Sequence, residues 1–258
     1  MTVMMSVLKD NPVTNFSRGF FYPFRAGRFL LSHPALLRFV VFPFLINTLI
    51  FSLCVYFGFD FFDGLVAKYI PQGDAWYWLL LSYAVWILAV LVTIVLVFFS
   101  FTVVGNLIAS PFNDLLSEKT EQILTGVREE GAFALKAFLQ DTKRVVATEI
   151  KKVGLFLVGM LLLLLLNILP VVGGALYAVL AFLLTLFFLV VEYLGYILER
   201  KRFTFARQRE YIMARKFLML GFGTGVMAVL AIPFLQFLCI PLGVVGGTLL
   251  WFDLEDNA

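Results

Sequence analysis

The stretch Ser32-His33-Pro34-Ala35-Leu36-Leu37-Arg38 holds the residue types best suited to chemistry in this chain. Pro34 fits the first position of a helix, and Ser32 or His33 fits the cap before it. The amides of Ala35, Leu36 and Leu37 would then lack carbonyl partners within that helix and lie at the positive end of its dipole. Helical side chains lean toward the N-terminus, so the Arg38 guanidinium can swing back over those amides. Such a group suits a planar or tetrahedral oxyanion. The plainer alternative is that Arg38 anchors the helix to lipid phosphates.

Other reactive groups are scarce. No Asp, Glu, Lys, Arg or His falls within residues 39–59, 75–113, 153–191 or 217–252. That argues against an intramembrane protease or a buried carboxylate relay, and no enzyme is expected. Cys54 and Cys239 lie in apolar runs and His33 is the one histidine, so no metal site and no cofactor is expected. His33 reads as an interfacial residue. Glu192, at a run's edge, reads as a charge facing Arg200 or Lys201. The Arg200-Lys201-Arg202 cluster with Arg207 and Arg209 reads as a cytoplasmic-side determinant, or as a gatherer of anions at a mouth. Asn47, Asn106, Asn167 and Gln236 are expected to bond neighbouring helices or to line a polar path. Gly221-Phe-Gly223-Thr-Gly225 lacks the strand and Lys-Ser/Thr of a nucleotide loop. Gly221/Gly225 and Gly243/Gly247 have the four-residue spacing of close helix packing.

Hydrophobic residues make up 62% of the 258 and charged ones 14%, with mean hydropathy +0.97. A soluble domain runs nearer 45–50% and about 25%, so the excess apolar surface needs lipid. A soluble enzyme, a nucleic-acid binder and a disordered scaffold are excluded. The expected fold is one all-α integral membrane domain over 1–258. Residues 1–38 are interfacial or cytoplasmic, with Arg18, Arg25 and Arg28 opposite Phe20, Phe24 and Leu31 on a helix in the headgroup plane. Residues 39–113 hold two long transmembrane helices, the second from Trp76 to about Ser100, running on or breaking near Gly105 and Pro111. Residues 114–152 belong to two cytoplasmic amphipathic helices, the first opened by Ser110-Pro111.

Residues 153–191 and 217–252 are each too long for one span and are broken by Asn167-Ile-Leu-Pro170-Val-Val-Gly173-Gly174 and by Pro233…Pro241. Both read as helical hairpins. The arms, about 17 residues in the first and about 16 and 12 in the second, fall short of the roughly 20 residues a span needs, and the turns carry no charge. Half-penetrating hairpins are therefore favoured over four short spans. Residues 192–216 form a basic cytoplasmic segment and 253–258 an acidic tail. Lys and Arg number five in 1–38, one in 60–74, seven in 114–152 and seven in 192–216. Only the Asp60–Asp74 loop is then external, beside an aromatic belt of Trp76, Tyr77 and Trp78.

Four motifs carry a resemblance. Arg38-Phe-Val-Val-Phe-Pro43-Phe-Leu-Ile-Asn47, Ile108-Ala-Ser-Pro111-Phe-Asn113-Asp-Leu-Leu-Ser-Glu118, Ile-Leu-Pro170-Val-Val-Gly and Ile240-Pro241…Gly246-Gly-Thr-Leu-Leu-Trp251 resemble, in order, the CysZ-type sulfate permeases. The resemblance implies a multi-pass protein of the bacterial inner membrane that assembles as a homo-oligomer among membrane lipids. It implies ATP-independent sulfate uptake for sulfur assimilation and cysteine synthesis. It also places the site at the start of the first long helix, in a Gly-Leu-Arg motif often followed by a second arginine. Here that stretch is Ala35-Leu36-Leu37-Arg38, so positions 35 and 36 and Arg38 carry over. Leu37 replaces the first arginine and Ala35 the glycine. The departure leaves open a related oxyanion, or a membrane scaffold that shares the fold without transporting.

Overall fold

The computed structural model describes residues 11–69, 76–127, 135–169, 172–233 and 235–255, and the described residues form helices and turns only. The helices are α1 (Pro12–Ser32), α2 (Arg38–Tyr69), α3 (Trp76–Thr125), α4 (Leu135–Leu164), α5 (Gly173–Arg200), α6 (Phe205–Ala214), α7 (Lys216–Ala231) and α8 (Cys239–Glu255). This is an all-helical membrane protein. Among the described residues, three apolar stretches are long enough to cross a bilayer, Pro34–Gly58, Ile150–Ile168 and Gly173–Arg200. The chain groups into two compact units, Val41–Ala109, and Met1–Val40 with Ser110–Ala258.

In the smaller unit α2 and α3 lie side by side. Asn47 donates from Nδ2 to the Gly105 carbonyl at 3.2 Å, the helix-to-helix bond expected of an asparagine at this depth. Phe44, Leu49, Tyr56, Leu80, Leu88 and Val95 stay exposed, a surface suited to acyl chains. Trp76 and Tyr77 are exposed at the start of α3, while the side chains of Trp78 and Asn106 and residues 70–75 lie outside the described set. Residues 60–69 continue α2 instead of opening a loop. Helices propagate past isolated charges at little cost.

The larger unit is built on glycine. A Cβ at Gly221 would strike the Phe16 carbonyl, one at Gly225 the Phe20 carbonyl, and one at Gly19 the Leu218 carbonyl. α1 and α7 therefore run parallel with their backbones in contact. α8 packs on α1 through Gly246 at Tyr22-Pro23, and on α5 through Gly243 and Gly247 at Tyr193. Both glycine pairs singled out by spacing are packing sites. The docked stripe of α1 is Gly19, Tyr22, Pro23, Ala26 and Leu30, so this helix has a protein partner along its length. Asp253 draws it in further, accepting from the Tyr22 hydroxyl at 2.8 Å and pairing with Arg25 at 3.1 Å.

Several expected boundaries move. Pro111 lies inside α3, a single helix to Thr125, so Ser110-Pro111 opens no new helix. α4 likewise runs through Lys152 into the apolar run, so separate cytoplasmic helices over 111–152 do not occur among the described residues. Gly126, at φ 69°, ends α3 in the left-handed conformation that favours glycine; Gly131 lies outside the described set. α4 and α5 form a hairpin through a 3-10 turn at Leu165–Ile168; Pro170 and Val171 are outside the described set. α7 has the expected 16 residues, but α8 has 17, because Pro241 fits its first turn, where no N–H is needed. Phe234 and Asp256 are likewise outside the described set.

Candidate functional site: a two-cation cavity at the start of α2

Between α1 and α2 the chain makes one 3-10 turn, Pro34–Leu37. Ser32 and His33 do not cap it. Ser32 Oγ donates to the Arg28 carbonyl at 3.0 Å, and His33 Nδ1 donates to the Phe29 carbonyl at 3.0 Å. Both side chains close the C-terminus of α1, whose last carbonyls need donors. The Leu36 amide donates to the His33 carbonyl at 3.0 Å, so it is not free for an anion, and the Leu36 side chain is buried. A short 3-10 turn ties down the amide that an α-helical start would have left open. The backbone half of the expected site is therefore reduced.

The side-chain half is enlarged. Ala35, Leu36, Arg38 and Phe39 line a cavity of about 340 Å³ whose other wall, at the end of α3, is Lys119, Gln122, Ile123 and Gly126. Arg38 stacks over the Phe39 ring at 4.8 Å, and among the described residues it forms no ion pair. Leu37 is not among the lining residues. Lys119 Nζ donates to Gln122 Oε1 at 2.8 Å, and Gln122 Nε2 donates to Glu118 Oε1 at 2.9 Å. Glu118 Oε1 also stands 3.8 Å from Lys119 Nζ. The cavity thus gathers two cations, one neutral amide and, one bond further out, one carboxylate. Lys119 was not singled out in the sequence because it lies on another helix; its one signal there is that it directly follows the Ala-Ser-Pro-Phe-Asn…Glu118 motif.

The Arg200 cluster turns out to be occupied. Arg200 Nη1 donates to the Asp114 carbonyl at 2.9 Å and Nη2 to Ser117 Oγ and Glu121 Oε2, each at 3.0 Å. Lys201 pairs with Glu121 at 2.6 Å. Burial alone would push the Glu121 carboxyl up, but the Lys201 hydrogen bond and the Arg200 charge outweigh it and hold the group below the usual carboxylate value. Arg207 stacks on Phe203 and Arg215 on Tyr211, each at 4.1 Å. These cations brace α3, α5 and α6, and Arg200 and Lys201 are not available as an anion-gathering mouth. Asn167 bonds the Leu164 carbonyl of its own turn at 3.2 Å, while Gln236 is exposed.

Long apolar helices, glycine-mediated packing and a small basic cavity where an apolar helix starts define a helical membrane protein with two cations gathered at the head of an apolar helix. Residues 22–241 match the family model described as "Sulfate transporter CysZ/Etoposide-induced protein 2.4". A protein of Pseudomonas syringae pv. tomato named "Sulfate transporter CysZ" is 33% identical over 227 residues, which cover 88% of this chain and 89% of that one. The chain belongs to the CysZ/etoposide-induced protein 2.4 family.

Proposed function

We propose that this protein is a permease for sulfate or a closely related oxyanion, working without ATP in a bacterial inner membrane and supplying sulfur assimilation and cysteine synthesis. The observation that carries the reading is that Arg38 and Lys119, from two helices, line one cavity. The relative named as a sulfate transporter supports the choice of anion.

In this reading Arg38 offers its planar fork to two oxygens of the anion, and Lys119 leaves the neutral Gln122 oxygen for a charged one. Lys119 stands where the missing arginine of Ala35-Leu36-Leu37-Arg38 leaves a deficit of charge. Glu118 cancels part of that charge, and the C-terminal end of α3 presents the negative end of its dipole. Binding is then weak enough to let the ion leave, as conduction requires. No Asp, Glu, Lys, Arg or His within the four apolar runs offers a proton relay, which favours downhill movement. Homo-oligomers of the chain would complete the path.

Radiolabelled sulfate uptake into proteoliposomes tests this. Arg38→Ala and Lys119→Ala should each reduce flux about tenfold, the scale of one lost charged hydrogen bond. Wild-type liposomes without sulfate flux would sink the transport reading and leave the scaffold one, and both variants with unchanged flux would remove this cavity from the path.

A further inference from the structure

We propose that a second cavity holds the headgroup of an anionic glycerophospholipid bearing a hydroxyl donor, phosphatidylglycerol being the simplest case. This cavity, about 460 Å³, lies among the middle of α4, the end of α5 and the start of α6. It stands apart from Arg38 and Lys119 and does not depend on the sulfate reading.

Three features set its ligand. The first is an unsatisfied acceptor. Gln208 is 3% exposed, its Nε2 donates to the Phe203 carbonyl at 3.2 Å, and its Oε1 has no hydrogen-bond partner. A buried acceptor without a donor is costly, and native structures rarely leave one. A ligand here should bring an O–H or N–H.

The second is surplus positive charge. Lys152 is committed: it crosses α5 at Gly195, where a Cβ would stand 2.8 Å from its Nζ, and pairs with Glu199 at 2.8 Å. That pair is neutral. The exposed Lys151 on the same wall, and Arg207 stacked on the lining residue Phe203, leave the surroundings positive. A phosphodiester answers that charge.

The third is the apolar remainder. Leu155, Phe203 and Phe205 complete the lining, and Lys151-Lys152 stand at the mouth of the Ile150–Ile168 apolar stretch. A ligand with charge at one end and hydrocarbon at the other, at the boundary between charged and apolar chain, is a membrane lipid. The acceptor selects among headgroups, because choline has neither N–H nor O–H while glycerol has hydroxyls. The positive wall favours a net anion over zwitterionic ethanolamine.

The test uses the full purified chain in detergent, with lipid binding read by thermal shift and native mass spectrometry. The probes are short-chain phosphatidylglycerol, short-chain phosphatidylcholine and chain-free glycerophosphoglycerol. Phosphatidylglycerol should bind about tenfold more tightly than phosphatidylcholine, and Lys151→Met and Gln208→Leu should each remove most of that preference. Lys151 is exposed, so Lys151→Met reads the site even where Gln208→Leu does not fold. Equal affinity for the choline lipid, or an unchanged preference in Lys151→Met, overturns the proposal. Equal binding of the chain-free compound overturns the lipid as its source.

Discussion

The two helical hairpins have the same kind of sequence and opposite surroundings. Residues 153–191 and 217–252 are both charge-free, apolar and broken by turn residues. In the α4–α5 hairpin, Leu157, Leu161, Leu162, Leu165, Leu176 and Val179 remain exposed. In the α7–α8 hairpin, Met219, Phe222, Val226, Val244, Val245 and Leu250 are buried among α1, α5 and each other. Hydropathy does not separate them; side-chain size does. Lipid tails are as apolar as leucine, so helices in a bilayer associate by backbone approach and close packing. Glycine at 221, 223, 225, 243, 246 and 247 lets neighbouring backbones and rings approach. The arms of the other hairpin meet each other, Phe156 lying 5.3 Å from Phe188 and Gly159 facing Leu184, but their leucine-rich outer faces find no protein partner among the described residues. α5 carries both states, exposed near its start and buried from Tyr193 to Leu198.

The sharpest way to break this contrast is to add the same bulk to each hairpin. Gly221→Leu drives a side chain into the Phe16 carbonyl and should cost more than about 3 kcal/mol, seen as loss of the folded species in detergent. Gly154→Leu meets nothing within 4 Å and should change stability by about 0.5 kcal/mol or less. Similar effects at both positions would abolish the distinction.

Next in size is Arg200→Met, at the buried foot of α5. It takes the guanidinium away from Asp114 and Glu121, leaving Glu121 with Lys201 alone of its two cations, and should cost about 2–3 kcal/mol in thermal unfolding, the low side for a buried pair because the side chain keeps 15% exposure. The same network gives a pH signature. Glu121 is held below its ordinary value of 4.5, so its contribution is present above about pH 4.5 and is lost as pH falls through the lower folded-state value. A melting temperature that rises on acidification from pH 5 to pH 3 would contradict this, and Glu121→Gln should flatten the profile.

A smaller effect than the loss of Arg200 is a gain. Arg202 sits at φ 60°, closing α5 with its amide on the Glu199 carbonyl and the Phe203 amide on the Leu198 carbonyl, each at 2.9 Å. Arg202→Gly relieves that left-handed strain and should stabilise by about 1 kcal/mol. A loss instead would show that the Arg202 side chain contributes more than its backbone costs.

Much of this fold was legible in the sequence, and the reasons are local. Charge-free runs mark helices because an apolar helix is the simplest way to satisfy backbone groups in lipid. The four-residue glycine spacing marks close packing because such residues share a helix face. Helix ends were less legible: α2, α3 and α4 run through charged or proline positions that suggested boundaries, since a charge or an isolated proline does not always stop a helix held by its neighbours. At the candidate site, Arg38 and Ala35 could be named from spacing. The tied Leu36 amide could not, because it depends on whether the chain starts α2 with an α or a 3-10 turn.

Composition and order of residues suffice to say that this chain needs a bilayer, which segments are apolar helices, and that Arg38 stands at the head of the first of them. Those follow from composition and from periodicities within single segments. Packing between helices brings Lys119 to Arg38 across one cavity, commits Arg200 to Asp114 and Glu121, and buries α7 and α8 while much of α4 and the start of α5 stay on the surface. Each of these depends on residues tens of positions apart, whose approach is set by packing between helices.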